Sequence, residues 1–325
     1  MQPHVPSKPF VRGRFDALPA VPPIPHVFHD AECLTLPMQS ASFGAIDVHV
    51  RRYGKGPPLY LVHGLMTSSY SWRYAFAHLG EHFTCFALDL PGAGRTTRNI
   101  DRPYSPTALA TLIGEVQAAL DIRGCPTIGN SMGGYLCMTL ALDDPGAMSR
   151  LLNLHSPGVP ELRLDALAAI LAVPGAHALL RSLIRRDPLR WVFRNVHYYD
   201  EHLKSLEEAH EYGDVLADRD GAQVLVKYLG ETMHPRPMRA FQAGLTERKQ
   251  RGQAFPIPLQ LVYADRDPMV PPRFGEVFRE QIPGSELVTM SDASHFAHVD
   301  AAARFAAMPC ASSPTYNAPD LIGLT

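Results

Sequence analysis

Thr127-Ile128-Gly129-Asn130-Ser131-Met132-Gly133-Gly134-Tyr135 is the stretch of sequence that decides the fold. A short apolar run leads into Gly129 and predicts a buried strand, and the apolar residues from Tyr135 to Leu142 predict a helix. The G-x-S-x-G pentapeptide between them predicts a sharp strand-to-helix turn that would project the Ser131 hydroxyl out of the sheet. The N–H of Met132, at the helix N-terminus, could then face an oxygen that gains negative charge. The stretch therefore predicts a serine nucleophile, with an ordinary glycine-rich turn as the alternative.

A general base is needed because a serine hydroxyl is a poor nucleophile by itself. Of the 15 histidines, His295 is the best placed, because it lies in the loop that follows the last predicted strand, Leu287–Met290. Such a loop would bring His295 to the carboxyl edge of the sheet, where Ser131 is expected. His298 is the weaker choice, since it is expected one turn along the next helix. A surface or core histidine is the alternative for both positions.

A carboxylate that lies between the serine and the histidine in sequence would complete a triad, because it can orient the imidazole and stabilise its charged form. The loop after the predicted strand Leu259–Tyr263 contains Asp265 and Asp267. We favour Asp267 because the proline that follows it biases its backbone towards an extended conformation. Asp265 could instead be a structural turn residue. Residues 155–158, which follow an earlier strand, contain no acid.

The other apolar runs predict an α/β fold with a mostly parallel sheet of about eight strands and helices on both faces. We expect a Pro-rich arm at residues 1–32, a core at 33–156 and 256–325, and a helical cap at 157–255. The cap is predicted because helix-like segments interrupt the rhythm of strands; they are residues 165–173, 176–185, 200–212 and 222–228. A cap in this place would cover the carboxyl edge of the sheet. A further helix is expected at residues 106–120, with Ser105 as its N-cap.

Charge and cysteine content exclude several classes of function. The 325 residues include 30 basic and 32 acidic side chains spread along the chain, so we expect neither a nucleic-acid footprint nor a basic face for anionic lipid. Five cysteines without a C-x-x-C pair argue against a disulfide framework or a zinc site. The N-terminal stretch shows no signal-peptide core, and the apolar run 166–173 is too short to span a bilayer. We expect a soluble, cytoplasmic protein that acts on a small molecule.

Residues from 40 to 307 resemble the α/β-hydrolase superfamily, in the capped branch that includes haloalkane dehalogenases, epoxide hydrolases and serine esterases. The resemblance rests on five motifs in order, which are His63-Gly64-Leu65-Met66, Asp89-Leu90-Pro91-Gly92-Ala93-Gly94, the serine turn, Asp267-Pro268 and His295-Phe296. It implies that the N–H groups of Leu65 and Met132 hold the oxyanion, although His63-Gly64 could be only a strand-ending turn. It implies neither a metal nor an organic cofactor.

The same resemblance narrows the activity. Dehalogenases and epoxide hydrolases use an aspartate where this chain has Ser131, so both of those activities are excluded. Hydrolysis of a carboxylic ester through an acyl-enzyme is the predicted function. Hydrolysis of a C–C bond in a ring-fission product is the alternative, because Gly129–Gly134 resembles the serine turn of such hydrolases. Phe296 counts against it, since that group usually has tryptophan there. A third hypothesis is that the protein is a small-molecule receptor that does not turn over its ligand.

The sequence gives the least information about which residues line the substrate pocket. The cap aromatics Trp191, Tyr198 and Tyr199 could line it, and His155 could enter it from the end of a strand. Aromatic residues at helical spacing are also common in packing, so that alternative stays open. The C-terminal stretch from Pro309 to Thr325 is predicted to be loop-like, and the oligomeric state is not indicated by the sequence.

Overall fold

The computed structural model describes residues 9–311 of the chain. Within them, eight strands form one sheet: β1 (Glu32–Ser40), β2 (Gly44–Gly54), β3 (Pro58–Val62), β4 (Thr84–Leu88), β5 (Thr127–Asn130), β6 (Leu151–Leu154), β7 (Leu259–Ala264) and β8 (Glu286–Met290). Their order across the sheet is β1-β2-β4-β3-β5-β6-β7-β8. The pairs β1–β2 and β2–β4 are antiparallel, and every other neighbouring pair is parallel. The predicted mostly parallel, eight-stranded sheet is confirmed.

The strands β3 to β7 are largely buried on both faces, which explains why they read as unbroken apolar runs. Successive side chains of a strand point to opposite faces. In β3, Tyr60 and Val62 therefore join one apolar cluster, whereas Leu59 and Leu61 join the other. Three helices precede the cap: α1 (Ala75–Leu79), α2 (Pro106–Ala119) and α3 (Met132–Asp143). The N-cap prediction for α2 is confirmed, because the Ser105 side chain accepts a hydrogen bond from the N–H of Ala108.

Six helices fill the chain between β6 and β7: α4 (Leu162–Leu171), α5 (Ala176–Arg186), α6 (Pro188–Asn195), α7 (Leu206–Gly213), α8 (Arg219–Lys227) and α9 (Pro235–Gln250). They lie within the predicted cap, whose boundaries stay a prediction. The segment 200–212 was expected to be one helix and is instead a single turn followed by α7, because Ser205 caps a new helix start. Helices α6 and α9 were not predicted; each begins at a proline, which suits the first turn of a helix.

The cap and the arm are joined to the core by two neighbouring glutamates on α7. Glu208 forms a buried ion pair with Arg73, with 2.6 Å between Oε2 and Nη2, and its Oε2 also accepts a 2.6 Å hydrogen bond from the Tyr198 hydroxyl. Glu207 Oε1 accepts hydrogen bonds from the Tyr70 hydroxyl and from His29 Nε2, at 2.8 and 2.9 Å. The described part of the arm thus packs against both the cap and the core.

Three helices complete the fold: α10 (Arg273–Gln281), α11 (Ala297–Asp300) and α12 (Ala302–Ala311). The prediction of a loop from Pro309 is wrong as far as Ala311, because α12 continues to that residue. Residues 1–8 of the predicted arm and 312–325 of the predicted tail lie outside the described residues. No single helix within residues 9–311 is long and apolar enough to cross a membrane. Only α4 and α5 taken together, with a 102° bend between them, reach that length and composition.

Candidate active site

The serine turn has the geometry that its sequence predicts. Ser131 stands between β5 and α3 with φ 52° and ψ −121°, a conformation that a non-glycine residue adopts only when the surroundings enforce it. The neighbouring glycines allow the close approach of other backbone: a Cβ on Gly133 would lie 2.4 Å from the carbonyl oxygen of Val62. A Cβ on Gly134 would lie 2.0 Å from Asn153 Oδ1. Larger side chains at these two positions would therefore disrupt the turn.

Asn130 connects the serine turn to the loop that carries His295. Its side-chain Nδ2 donates hydrogen bonds to the carbonyl oxygens of His295 and Leu154, at 3.2 and 3.4 Å. The N–H of Ser131 donates to the same Leu154 carbonyl at 2.7 Å. Sequence reasoning did not assign Asn130 a role, and only its place beside Ser131 hinted at one.

The structure brings His295 and Asp267 together. His295 Nδ1 lies 2.7 Å from Asp267 Oδ2, and both side chains are almost completely buried. The other carboxylate oxygen, Oδ1, accepts from the N–H groups of Met269 and Val270 at 2.7 and 2.8 Å. Because an ionised carboxylate only accepts hydrogen bonds, Nδ1 carries the proton and Nε2 is the nitrogen that can act as a base.

The electrostatics of the pair favour an ionised Asp267. Burial alone would raise the pKa of this carboxyl, but the charge of His295 and its hydrogen bond outweigh burial and lower the pKa below its usual value. Asp265 differs in that its side chain is exposed and its nearest cation is Arg266, at 3.9 Å. This contrast supports the preference for Asp267 over Asp265.

The loop that carries Leu65 is held next to the serine turn. A Cβ on Gly64 would lie only 3.0 Å from the Cβ of Ser131. His63 braces the loop from behind, since its Nδ1 donates to the Gly64 carbonyl at 2.7 Å and its Nε2 accepts from the N–H of Leu90 at 3.0 Å. Burial lowers the pKa of His63, so this histidine is neutral. His63 therefore does more than end a strand, and the N–H groups of Leu65 and Met132 remain the predicted oxyanion donors.

The loop that begins at Asp89 supports the neighbouring loops through its acidic side chain. Asp89 Oδ1 accepts from the N–H of Ser69 at 2.7 Å, and Oδ2 accepts from His49 Nδ1 at 2.8 Å and from the N–H of Arg95 at 3.1 Å. A Cβ on Gly94 would lie 2.1 Å from the same carboxylate, so only glycine fits. The Asp89 carboxylate thus fixes three segments around the loop that carries Leu65.

His155 lies behind His295 and is fully buried. Its ring centroid is 5.6 Å from that of His295, and its Nε2 accepts from the N–H of Ala264 at 2.7 Å. Burial lowers the pKa of His155 to about 3, so the ring is neutral. His298, the rejected alternative base, is also fully buried, and its ring packs 4.4 Å from that of Trp72. His155 is therefore close to the site but covered by it.

The three cap aromatics make packing and hydrogen-bonding contacts at the edge of the cap. Tyr198 is fully buried, packs its ring 5.3 Å from Phe296, and donates its hydroxyl to Glu208. The Tyr199 hydroxyl lies 3.1 Å from Asp292 Oδ1. Trp191 is half-buried on α6. None of the three lines the cavity against Met132 or the polar cavity that adjoins it, so their role in the pocket stays a prediction.

Those two cavities are lined by cap residues that sequence reasoning missed. A cavity of about 30 Å³ lies against Gly64 and Met132 and is closed mainly by apolar side chains of the cap, which include Val215, Leu216, Val224 and Leu225. A second, polar cavity of about 240 Å³ adjoins it, and Glu211 lines both. The smaller cavity has room for only a few water molecules.

One group of side chains within the described residues could hold a metal ion by its ligand types. Potential ligand atoms of His26, His29 and Glu207 lie within 4.8 Å of one another. The hydrogen bonds of this group account for its arrangement, because the donors of both histidines and of Tyr70 converge on one carboxylate oxygen of Glu207. The group joins the arm to the cap and is separate from the predicted triad.

Several known hydrolases are similar to this chain. The 2-hydroxymuconate semialdehyde hydrolase of Pseudomonas sp. (strain CF600) is 24% identical over 258 residues, which cover 78% of this chain and 86% of that protein. The pimeloyl-[acyl-carrier protein] methyl ester esterase of Aeromonas hydrophila is 26% identical over 265 residues, which cover 77% and 92%. The solved structure of a thermophilic esterase from Thermogutta terrifontis has a TM-score of 0.65 at 18% identity and covers 85% of this chain and 96% of that one.

At 18% sequence identity, the similarity to the solved esterase structure shows only that the fold is shared. The sequence comparison shows the family, because the model of the alpha/beta hydrolase family matches residues 59–308, more than half of the chain. That range runs from β3 through the serine turn and the whole cap into α12, and it includes each residue of the predicted triad. The chain belongs to the alpha/beta hydrolase family.

Proposed function

We propose that the protein is a serine hydrolase that cleaves carboxylic esters through an acyl-enzyme formed on Ser131. The observation that carries the proposal is the 2.7 Å pair of His295 and Asp267, which the Asn130 side chain ties to a serine turn of the required backbone geometry. A serine at such a turn, together with an imidazole that a carboxylate orients, is the arrangement that acyl transfer needs.

In the proposed reaction, His295 Nε2 takes the proton of the Ser131 hydroxyl as its oxygen attacks the ester carbonyl. The Asp267 carboxylate keeps the proton on Nδ1 and stabilises the imidazolium that forms. The N–H groups of Leu65 and Met132 stabilise the oxyanion. The imidazolium then protonates the departing alcohol. Water, activated by the same histidine, releases the acid and restores Ser131.

Hydrolysis of a C–C bond is a second candidate, supported by the similarity to a 2-hydroxymuconate semialdehyde hydrolase. A ring-fission product with carboxylates calls for a cationic clamp near the serine. The polar cavity contains Arg51 and Arg95, but Asp89, Glu211 and Asp214 line it as well. Because this cavity offers no excess of positive charge, we favour neutral esters.

Replacement of the nucleophile tests the proposal. Ser131→Ala should reduce turnover of short p-nitrophenyl esters by about three orders of magnitude or more, because the remaining groups cannot form the acyl-enzyme. It should also abolish labelling by a fluorophosphonate, whereas Ser182→Ala, at an exposed cap position, should change neither. A folded Ser131→Ala protein that keeps a tenth of the wild-type activity would overturn the assignment. Binding without any turnover or labelling of the wild type would instead favour a receptor.

The location of the protein remains part of the proposal. Cys33, Cys125 and Cys137 are free thiols, and burial raises the pKa of Cys125 to about 11, so that thiol stays protonated. Free thiols are typical of a reducing compartment, which supports a cytoplasmic protein. A small-molecule ester is its proposed partner, and no cofactor is required by the proposed chemistry.

A further inference from the structure

Apolar side chains are exposed in an unusual concentration on the hairpin formed by α4 and α5. Within the described residues, eight large apolar side chains are exposed, and five of them lie on this hairpin: Leu162, Ile170, Val173, Leu179 and Leu183. Their exposed fractions range from 51% to 87%. Exposed apolar side chains are common when they are scattered, but a group of them marks an interaction surface.

The hairpin is attached to the protein by a different set of side chains. Leu171 at the end of α4 and Ile184 in α5 are buried, and the Arg181 guanidinium binds the side-chain oxygen of Gln223 in α8. The exposed apolar residues therefore form a second, outward surface that the cap does not need for its own packing.

The charge of the hairpin identifies the partner. Residues 162–186 contain one acidic side chain, Asp165, against four arginines, Arg163, Arg181, Arg185 and Arg186, and the last two arginines are exposed. Apolar side chains next to arginines are typical of segments that lie on a bilayer with anionic lipids. The overall charge balance predicted no basic face for lipid, because it averages over the chain and conceals this local distribution.

We propose that the hairpin α4–α5 docks the protein on the surface of a bilayer that contains anionic lipid. The five apolar side chains would enter the boundary between headgroups and acyl chains, and Arg185 and Arg186 would contact lipid phosphates. The hairpin lies on the bilayer and does not cross it. Its helices have 10 and 11 residues, or about 15 Å each, which is half of the hydrocarbon thickness, and a 102° bend separates them.

The docking surface is structurally close to the predicted triad. Arg163, in the first turn of α4, donates to the carbonyl oxygen of Met269, whose own N–H donates to the Asp267 carboxylate. Docking would thus place the catalytic edge near the lipid surface. It follows, and this extension rests on the proposed function, that esters dissolved in a bilayer are better substrates than the same esters in water.

Vesicle binding by the full chain tests the docking. Wild-type protein should sediment with vesicles of phosphatidylcholine and phosphatidylglycerol, and Ile170→Ser should weaken the binding by roughly tenfold. Val21→Ser is the matched control, because Val21 and Ile170 are both 61% exposed but Val21 lies in the arm. Ser131→Ala should bind vesicles like the wild type, so a failure of docking can be distinguished from a failure of the catalytic proposal.

The arginines provide an independent measurement. Arg186→Gln should weaken binding to the phosphatidylglycerol vesicles by about fivefold, and exposed Arg236→Gln in α9 should leave it unchanged. Vesicles of phosphatidylcholine alone should bind the wild type more weakly than the anionic vesicles. The proposal would be overturned by equal binding of Ile170→Ser and Val21→Ser. It would equally be overturned if the wild type ignored vesicles, or if Ile170→Ser changed only the oligomeric state in sedimentation velocity.

Discussion

Two buried acid–base pairs, one at the edge of the sheet and one between cap and core, are held in different ways. In the pair of His295 and Asp267, each carboxylate oxygen has a donor, and two of the donors are backbone N–H groups just after Asp267 in the chain. In the pair of Arg73 and Glu208, the partners are 135 residues apart. Among the described residues, neither Nε nor Nη1 of Arg73 has a hydrogen-bond partner.

The difference shows why one pair was predictable and the other was not. Asp267 and His295 each follow a parallel strand, and parallel strands bring the loops at their carboxyl ends to a common edge. Arg73 and Glu208 meet only because the cap folds back over the core. Besides the ion pair with Glu208, faces of aromatic rings stabilise Arg73: its guanidinium lies 4.7 Å and 4.6 Å from the ring centroids of Tyr70 and Tyr74.

The largest expected effect is on turnover at the edge of the sheet. Asp267→Asn should reduce kcat for an ester substrate by on the order of 10⁴, because the amide no longer enforces the imidazole tautomer that can accept the serine proton. Asp265→Asn, in the same loop, should reduce it far less. Steady-state kinetics with a p-nitrophenyl ester measure kcat for both variants and for the wild type. If Asp265→Asn had the larger effect, the assignment of the acid would be wrong.

A smaller effect, on stability, is expected at the pair between cap and core. Arg73→Met should lower the free energy of unfolding by about 3–5 kcal/mol, because it leaves the buried Glu208 carboxylate without a counterion. Arg52→Met is the matched control: Arg52 pairs with Glu32 at 2.7 Å, but both side chains are about half exposed, so the loss should be below about 1 kcal/mol. Urea unfolding at neutral pH measures both. Equal losses would contradict the distinction drawn between buried and surface pairs.

The core, the serine turn and the pair of His295 and Asp267 could be predicted because local patterns determine them. The apolar runs marked the strands, and G-x-S-x-G marked the turn at Ser131. Asp267 could be separated from Asp265 by the proline that follows it. The brace that His63 provides was not predicted, because its partner Leu90 is 27 residues away in sequence and meets it only in the folded chain.

There is a physical reason why the residues that line the two cavities could not be predicted from the sequence. The cap aromatics were predicted to line a pocket. In the structure, the Tyr198 hydroxyl donates a hydrogen bond to Glu208, and the apolar surface at Met132 comes from aliphatic residues such as Val224 and Leu225. In sequence, those residues read only as the apolar face of α8. The face of α8 that turns towards the site depends on how the cap packs on the core. Long-range contacts such as that of Arg73 with Glu208 determine this packing, and no local sequence pattern predicts them.

Tyr198→Phe tests whether that residue packs the cap or lines a pocket. Loss of its hydroxyl should cost about 2 kcal/mol of stability, because a hydrogen bond to a buried charged group is removed. The kinetics should stay within about twofold of the wild type if Tyr198 is a packing residue. Tyr199→Phe, which removes a hydrogen bond to Asp292, is the control and should cost less. A large rise in KM for Tyr198→Phe without a loss of stability would support the pocket prediction.

The smallest expected effect concerns Asp300, whose carboxyl group links the His295 loop to the cap. It accepts hydrogen bonds from Ser294, next to His295, and from the N–H of Tyr199 in the cap. Burial raises the pKa of Asp300 to about 7, although these hydrogen bonds act against the rise.

The sign of the resulting pH dependence follows from proton binding. Between about pH 4, the ordinary pKa of an aspartate, and about pH 7, the folded protein keeps a proton on Asp300 that the unfolded chain has lost. This contribution to stability is therefore fully present below that window and is lost as the pH rises through it. Burial also raises the pKa of Glu208, which acts in the same direction, so the informative quantity is the difference between wild type and Asp300→Asn. Urea unfolding across this range should show a steeper fall for the wild type. Parallel curves for the two proteins would mean that Asp300 is ionised in the fold, and that its hydrogen bonds, not its burial, control its charge.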